Sequence, residues 1–444
     1  MKQYIIKYTI TSCLILFALT TFGQGLQLAT MSDIGQVNLT NPAKMPDKRF
    51  YLGISPFLDA GTSISGAQIF ETTGGFIPGF INVEDLDDDN FVGLNLTVPF
   101  GFGFKVKKWA FNVHSTPVYS NQIGFNKDFL GFMTQGNAPY TGETLNLDPQ
   151  FDISLYQEFG IGVSRQILGI FDVGIRGKFL VGAFNINTVQ GDLSLTTSDD
   201  FYQLDAAANY DIQVAGFPQI TSLQQFETFD SAFQAQANNP LESFTQNRGF
   251  AFDIGATMDI GELLHIGVSI LDIGNITWEQ NSYEYNLSGE FTFEGVDATG
   301  FFTGADITNI TDTLNIDNIV SVSSKPTSYK AGVNTKTYLT ARLKLGKQFF
   351  VNGVLRNEFT PNGVRTGFGV GAQKYFGKNL GIGAMYSIQN GSFANLGTNL
   401  SLKLGPAQVF VISDNLLPLI NQWQAANTNV RIGANVTLND KKKK

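Results

Sequence analysis

The chain has 444 residues, 38 acidic against 29 basic, and a formal charge of −9. That acidity argues against nucleic-acid binding, which needs a basic stripe. With 47 glycines, 39 phenylalanines, 15% charged residues against a usual ~25% and a mean hydropathy near zero, the composition suits β-strands with one apolar and one polar face.

The first residues read as a secretory signal peptide (1–23): Lys2 and Lys7 form a basic start, residues 10–19 (ITSCLILFAL) an apolar core, and Thr21-Phe22-Gly23 a small-residue cleavage site, with cleavage expected before Gln24. The core is too short to span a bilayer. Cys13, the only cysteine, lies inside it, so the mature chain offers neither disulfide nor thiolate ligand, and its formal charge becomes −11. After residue 20 no apolar run approaches the ~18 residues of a transmembrane helix.

From a first strand near 49–57 onward, one pattern repeats. Val92, Leu94, Leu96, Val98, Phe100, Phe102, Phe104 and Val106 share one face, with Pro99 marking a break because proline cannot donate to a ladder. Phe171, Val173, Ile175 and Phe179 alternate with Asp172, Gly174, Arg176 and Lys178. Phe250 to Met258, Leu264 to Ile270, Leu396 to Leu404 and Val430 to Leu438 do the same. Gly367-Phe368-Gly369-Val370-Gly371 could pass for a phosphate-binding loop, yet no helix follows and the Lys-Ser/Thr pair is missing. Alternation runs on both sides of a Gly377-Lys378-Asn379 turn, so the segment reads as a hairpin whose glycines face the inside of a pore.

A soluble sandwich and an outer-membrane barrel both produce such alternation. The barrel is favoured by a polar face that mixes Gly, Asn, Ser, Arg, Lys and Asp, and by segments of about 9–11 residues that suit a tilted crossing. Turn lengths agree: connections are short at one end (107–108, 261–262, 377–379) and long at the other (61–90, 119–156, 185–248, 275–328). The expected fold is all-β, an antiparallel transmembrane β-barrel of about 14 strands spanning 49–440, with an N-terminal plug or hatch (24–48) and a basic tail (441–444). Period-2 pieces such as 283–293 are expected to extend hairpins beyond the membrane.

Ahead of the first strand stands VNLTNPAKMPDKRFYLGISP. Asn41-Pro42-Ala43 in that position resembles the Asn-Pro-Ala signature of FadL-like outer-membrane transporters. The C-terminal AQVFVISDNLLPLINQWQAANTNVRIGANVTL resembles the last two strands of related barrels from the Bacteroidota, closest to an outer-membrane family of unknown function. The resemblance implies a Gram-negative outer-membrane location, a fourteen-stranded barrel with an inward-folded N-terminal segment, and Asn41, Pro42 and Ala43 in the lumen. Lys44-Met45 and the terminal lysines depart from the commoner pattern. The bland reading of Asn41-Pro42 is a turn before strand one.

Other candidates carry less. The acidic run 84–89 lacks EF-hand spacing and reads as a solvated loop. His114 and His265 fall on the lumen face, but no Gly-x-Ser-x-Gly elbow accompanies them and no enzyme, metal or other cofactor is expected. Arg165, Arg176, Arg356, Arg365 and Arg431 are expected to pair inside the barrel with acids such as Asp172, Asp253 and Asp259. The plug and lumen candidates are therefore Asn41, Pro42, Ala43, Arg365, Gly367, Gly369 and Gly371. The resemblance implies passive binding or passage of hydrophobic small molecules, in contact with outer-membrane lipid. The alternative is a non-transporting barrel that docks or shuttles secreted surface proteins, to which the Gln-, Asn- and Phe-rich loop 185–248 is suited.

Overall fold

Strands whose residues alternate lipid-soluble and polar can satisfy their backbones inside a bilayer only by closing on themselves. The chain does this. The structure, a computed structural model, describes residues 25–44, 49–63, 88–199, 203–219, 247–293, 321–361, 363–389, 392–417 and 427–438. Residues 1–24, where the signal peptide is expected, the acidic residues 84–87, the stretch 220–246 and the terminal lysines lie outside them.

Fourteen wall positions follow one another in chain order. β1 is Phe50–Ile54 continued by Phe57–Thr62, and β2 is Asp89–Thr97 continued by Phe100–Val106. Then come β3 (Trp109–Asn126), β4 (Gln150–Ile167), β5 (Phe171–Gln190), β6 (Asn247–Ile260), β7 (Leu264–Trp278), β8 (Thr335–Gly346) and β9 (Phe349–Thr360). β10 (Gly363–Phe376), β11 (Leu380–Gln389), β12 (Ser392–Leu404), β13 (Ala407–Ser413) and β14 (Asn427–Leu438) complete the wall. Each pairs antiparallel with the next, and β14 pairs with β1 (Leu52↔Val436, Leu58↔Val430), which closes the barrel. The expected all-β barrel of about 14 strands is borne out.

Several strands exceed the 9–11 residues expected. β3, β4 and β5 have 18, 18 and 20 residues, so stretches of 119–156 and 185–248 read as loop are ladder continuing past the membrane. There Leu204–Ala215 pairs with β5 and with Ser282–Phe293, which also pairs with Ser321–Pro326. Tight turns join strands at the opposite end, where Gly261, Gly377 and Gly405 take φ of 60°, 64° and 62°, a conformation other residues rarely adopt.

The outward face carries Ile161, Ile175, Phe250, Phe252, Phe368 and Ile432, all exposed, Phe250 at 71%. A continuous belt of this kind is the mark of a lipid-facing wall. The inward face holds Asn112, Arg176, Lys178, Asp253, Asn399 and Asn435, all buried.

Two irregularities shape the interior. First, three prolines gather where β1 and β2 each break in two. Pro99 O accepts from Ser55 N, Pro117 O from Val98 N, and Pro56 O from Ile432 N, while no proline donates. Across this stretch Phe57–Thr62 and Asp89–Thr97 share one register pair, Thr62↔Val92. Second, the β6–β7 ladder slips, with Phe252↔Ile273 followed by Ile254↔Ile270. Asp253 thus opposes both Leu271 and Asp272, and both point inward. Asp272 has φ of 62° and donates its backbone N–H to Asp253 Oδ1 at 2.8 Å. The bulge reverses the facing of everything after it and turns Ile276 and Trp278 into the lumen.

Candidate functional site: a plugged lumen with a chamber above it

Residues 25–44 fold into two short 3₁₀ turns, Gln27–Thr30 and Gly35–Leu39, and fill the lumen toward the short-turn end. Their apolar side chains find inward partners. Leu26 and Ala29 pack with Leu271, Tyr338, Val354 and Met385; Leu28, Met31 and Ile34 pack with Phe410 and Ile412. Polar anchors fix the register. Asp414, just past β13, accepts the backbone N–H groups of Leu26 and Gln27 at 2.8 Å each. Gln36 and Asn435 exchange amide hydrogen bonds, and Asp33 accepts from Tyr375 and Ser401. Arg342 donates to Ser32 and lies 3.7 Å over the Phe350 ring.

Asn41-Pro42-Ala43 ends this segment in a glycine-lined seat. Asn41 Oδ1 accepts from Ala43 N at 2.9 Å, a local turn, while Nδ2 donates to Ala256 O and Val268 O of β6 and β7 at 3.2 and 3.1 Å. Thr40 O accepts from Ser269 Oγ, and Asn38 O accepts from Arg176 Nη2. A Cβ on Gly255 would lie 2.1 Å from Asn41 Oδ1, and one on Gly174 would lie 2.3 Å from Pro42 O.

Lys44 donates from Nζ to Ala29 O at 2.5 Å. Burial, with a smaller contribution from the Arg342 guanidinium, pulls its pKa down to about 7. Beneath it a vestibule of about 1050 Å³ opens among the short turns, with His265 paired to Asp259 at 2.7 Å.

Above the segment lies a network of buried ions. Arg176 pairs with Asp253 at 3.0 Å, and Lys178 reaches Asp272, Asp253 (3.1 Å) and Glu158 (3.3 Å). Lys336 bridges Asp272 (2.7 Å) and Glu358 (3.9 Å), and Arg356 holds Glu358 at 3.2 Å. His114 Nε2 meets Glu158 at 2.5 Å. Buried charges persist only when answered in this way.

A chamber of about 190 Å³ lies against the network. Its ionic lining among the described residues is Asp59, Asp152, Glu158, Asp272 and Glu358 facing Arg176, Lys178, Lys336, Arg356 and Arg431. Its apolar lining includes Phe57, Val118, Tyr156, Ile276, Trp278 and Val333. Phe57, Asp59, Asn95 and Thr97 bring both strands of the sparsely paired stretch into the chamber wall.

The other sequence candidates fall in different places. Arg365 faces inward on β10, 4.8 Å over the Phe91 ring, and lines a mouth cavity of about 790 Å³. Gly367, Gly369 and Gly371 share its face. The space at Gly369 and Gly371 is taken by Met385 of β11, whose Sδ would lie 2.6 Å from a Cβ on Gly369. Of the expected ion pairs, Arg176–Asp253 forms. Arg165 instead lies over Trp109, Arg431 over Phe57 with a bond to Ser55 O, and Asp172 accepts from Thr257. Asp272 and Trp278 were not anticipated as lumen residues.

A closed fourteen-strand wall with an apolar belt and an occupied lumen defines a membrane-spanning β-barrel of the outer-membrane type. Solved structures similar to it include toluene transporters and a FadL homologue. The Ralstonia pickettii toluene transporter TbuX is 11% identical over 95% of this chain and 97% of that one (TM-score 0.47). A Pseudomonas aeruginosa FadL homologue is 8% identical over 95% and 98% (TM-score 0.43). The P. putida toluene transporter TodX is 8% identical over 92% and 95% (TM-score 0.39). No curated protein matches the chain. Residues 42–414 match the model of a family of unknown function, DUF5723, and the chain belongs to that family.

Proposed function

We propose that the barrel gives small hydrophobic molecules passive passage through the outer membrane of a Gram-negative bacterium of the Bacteroidota type, with residues 24–48 acting as plug. One observation carries this reading: the chamber is bordered by the stretch where β1 and β2 share a single register pair. A molecule in the chamber has apolar side chains on one side and a sparsely bonded piece of wall on the other. An apolar solute leaving sideways from the chamber would enter lipid without displacing the plug. Arg365 and the inward glycines of β10 belong, on this reading, to the entry mouth.

The test locks the wall. Continuing the Thr62↔Val92 register places Leu58 opposite Leu96, both exposed on the belt. With Leu58→Cys and Leu96→Cys in the otherwise cysteine-free mature chain, uptake of an apolar dye into proteoliposomes should fall about tenfold on oxidation and recover on reduction. Equal uptake in both states would sink the sideways route. Mass spectrometry of barrels extracted in mild detergent supplies the second readout: a retained apolar molecule supports passage, and an empty barrel holding a secreted protein overturns it.

A further inference from the structure

Among the described residues, three hydrogen-bonding groups on side chains lining the chamber have no protein partner: Trp278 Nε1, Thr116 Oγ1 and Arg356 Nη1, the last on a guanidinium whose Nη2 already holds Glu358. Trp278 lines it at 1% exposure, and its indole Nε1 has no acceptor. The other edge of that ring is fixed against Gly182, where a Cβ would lie 2.4 Å from Cη2. Thr116 also lines the chamber, 7% exposed, with an unpartnered Oγ1. A buried indole N–H ordinarily has an acceptor, and one left without it is costly. The bulge at Asp253 and Asp272 brings Trp278 to this position.

Two further properties narrow the ligand. The chamber's ionic lining is five carboxylates against five cationic side chains, already engaged largely with one another, so a ligand with net charge would leave an ion unanswered. Its volume of about 190 Å³ is close to the ~150 Å³ in which an apolar cavity holds benzene.

We infer that the chamber selects a neutral, single-ring-sized apolar molecule carrying one hydrogen-bond acceptor, which takes the Trp278 N–H, with the Thr116 hydroxyl as a second polar contact. A plain hydrocarbon leaves the indole unanswered, and a carboxylate upsets the charge balance. This selectivity rests on the passage reading and refines it.

Calorimetric titration of the full mature barrel, at fixed detergent concentration, would compare cyclohexanone, methylcyclohexane and cyclohexanecarboxylate. The ketone should bind at least tenfold more tightly than the hydrocarbon, with no measurable binding of the carboxylate. In Trp278→Phe the ketone-to-hydrocarbon preference should collapse toward one. Thr116→Val, which keeps the side-chain shape, should reduce it two- to threefold and serves if the tryptophan variant does not fold. Equal affinity for ketone and hydrocarbon in the unaltered barrel would overturn the inference while leaving passage standing, since water would then be serving the indole. Tightest binding of the carboxylate would overturn it too. Binding of none of the three would overturn both readings.

Discussion

A hydrogen atom in place of a methyl group holds the end of the N-terminal segment. At Gly174 an added Cβ would press on the Pro42 carbonyl and the Ala43 nitrogen, main-chain atoms that cannot rotate away. Gly174→Ala should therefore unseat residues 41–44, at a cost of about 1–3 kcal/mol, typical of overpacking. Faster proteolysis of the N-terminal segment in folded barrels would show this, and unchanged protection would mean the strand gives way instead. Asp414→Asn should act at the other end of the segment. A carboxylate accepting two backbone N–H groups becomes an amide with one acceptor oxygen, and the same assay should show a loss of about 1.5–3 kcal/mol. The sequence offered Asn41-Pro42-Ala43 as a motif, and its position before a strand hinted at the interior. It could not say which strands receive the motif, because Gly174, Gly255 and Gly267, the last 3.4 Å from Asn41 Nδ2 if given a Cβ, are brought side by side only by the pairing of β5, β6 and β7.

Among the elements, the segment 25–44 couples its docking to pH through Lys44. The docked pKa, near 7, lies below the ordinary 10.5, so the undocked state binds the proton more readily. Docking should strengthen as pH rises from about 7 to 10.5, and the penalty for burying the ammonium should be complete below about 7. Lys44→Met should flatten that slope in a protease-protection series run from pH 6 to 10. A slope that survives the substitution would assign it to another group. The β6–β7 bulge shows where period-2 reading fails. Even-numbered residues from Leu264 to Ile270 face lipid, and simple continuation would place Ile276 and Trp278 there as well. Asp272 was the available signal: on the same parity it would put a carboxylate in hydrocarbon, which only a change of facing avoids. Proline was more legible. Pro99 marked the break in β2 because a residue without an N–H cannot sit unnoticed in a ladder.

At the scale of the whole molecule, the wall was the most legible part, since every strand repeats the same two-sided contrast. Long strands blurred the boundary between membrane and loop: in β3 Tyr119, Ile123 and Phe125 carry the two-sided pattern to the strand's end at Asn126, well inside the stretch read as loop. Outward side chains should tolerate charge least near mid-height. Ile254→Arg, central in β6 and exposed to lipid, should destabilise the barrel in bilayers by about 2–4 kcal/mol, read from urea unfolding in liposomes. The same substitution near a strand end should cost far less. Equal costs at both heights would argue against a lipid-facing belt.

The attachment of Leu26 and Gln27 to Asp414 has a consequence in time. The partners stand 388 and 387 positions apart, and β1 finds its second neighbour only in β14. The N-terminal partners of this contact must therefore wait, unsatisfied, for residues nearly four hundred positions further along the chain. The lumen is still open while the wall is being laid down and becomes occupied only at its completion. A barrel stalled short of its final hairpin should be a leaky one, and the sealing of the membrane should report the end of assembly rather than its beginning.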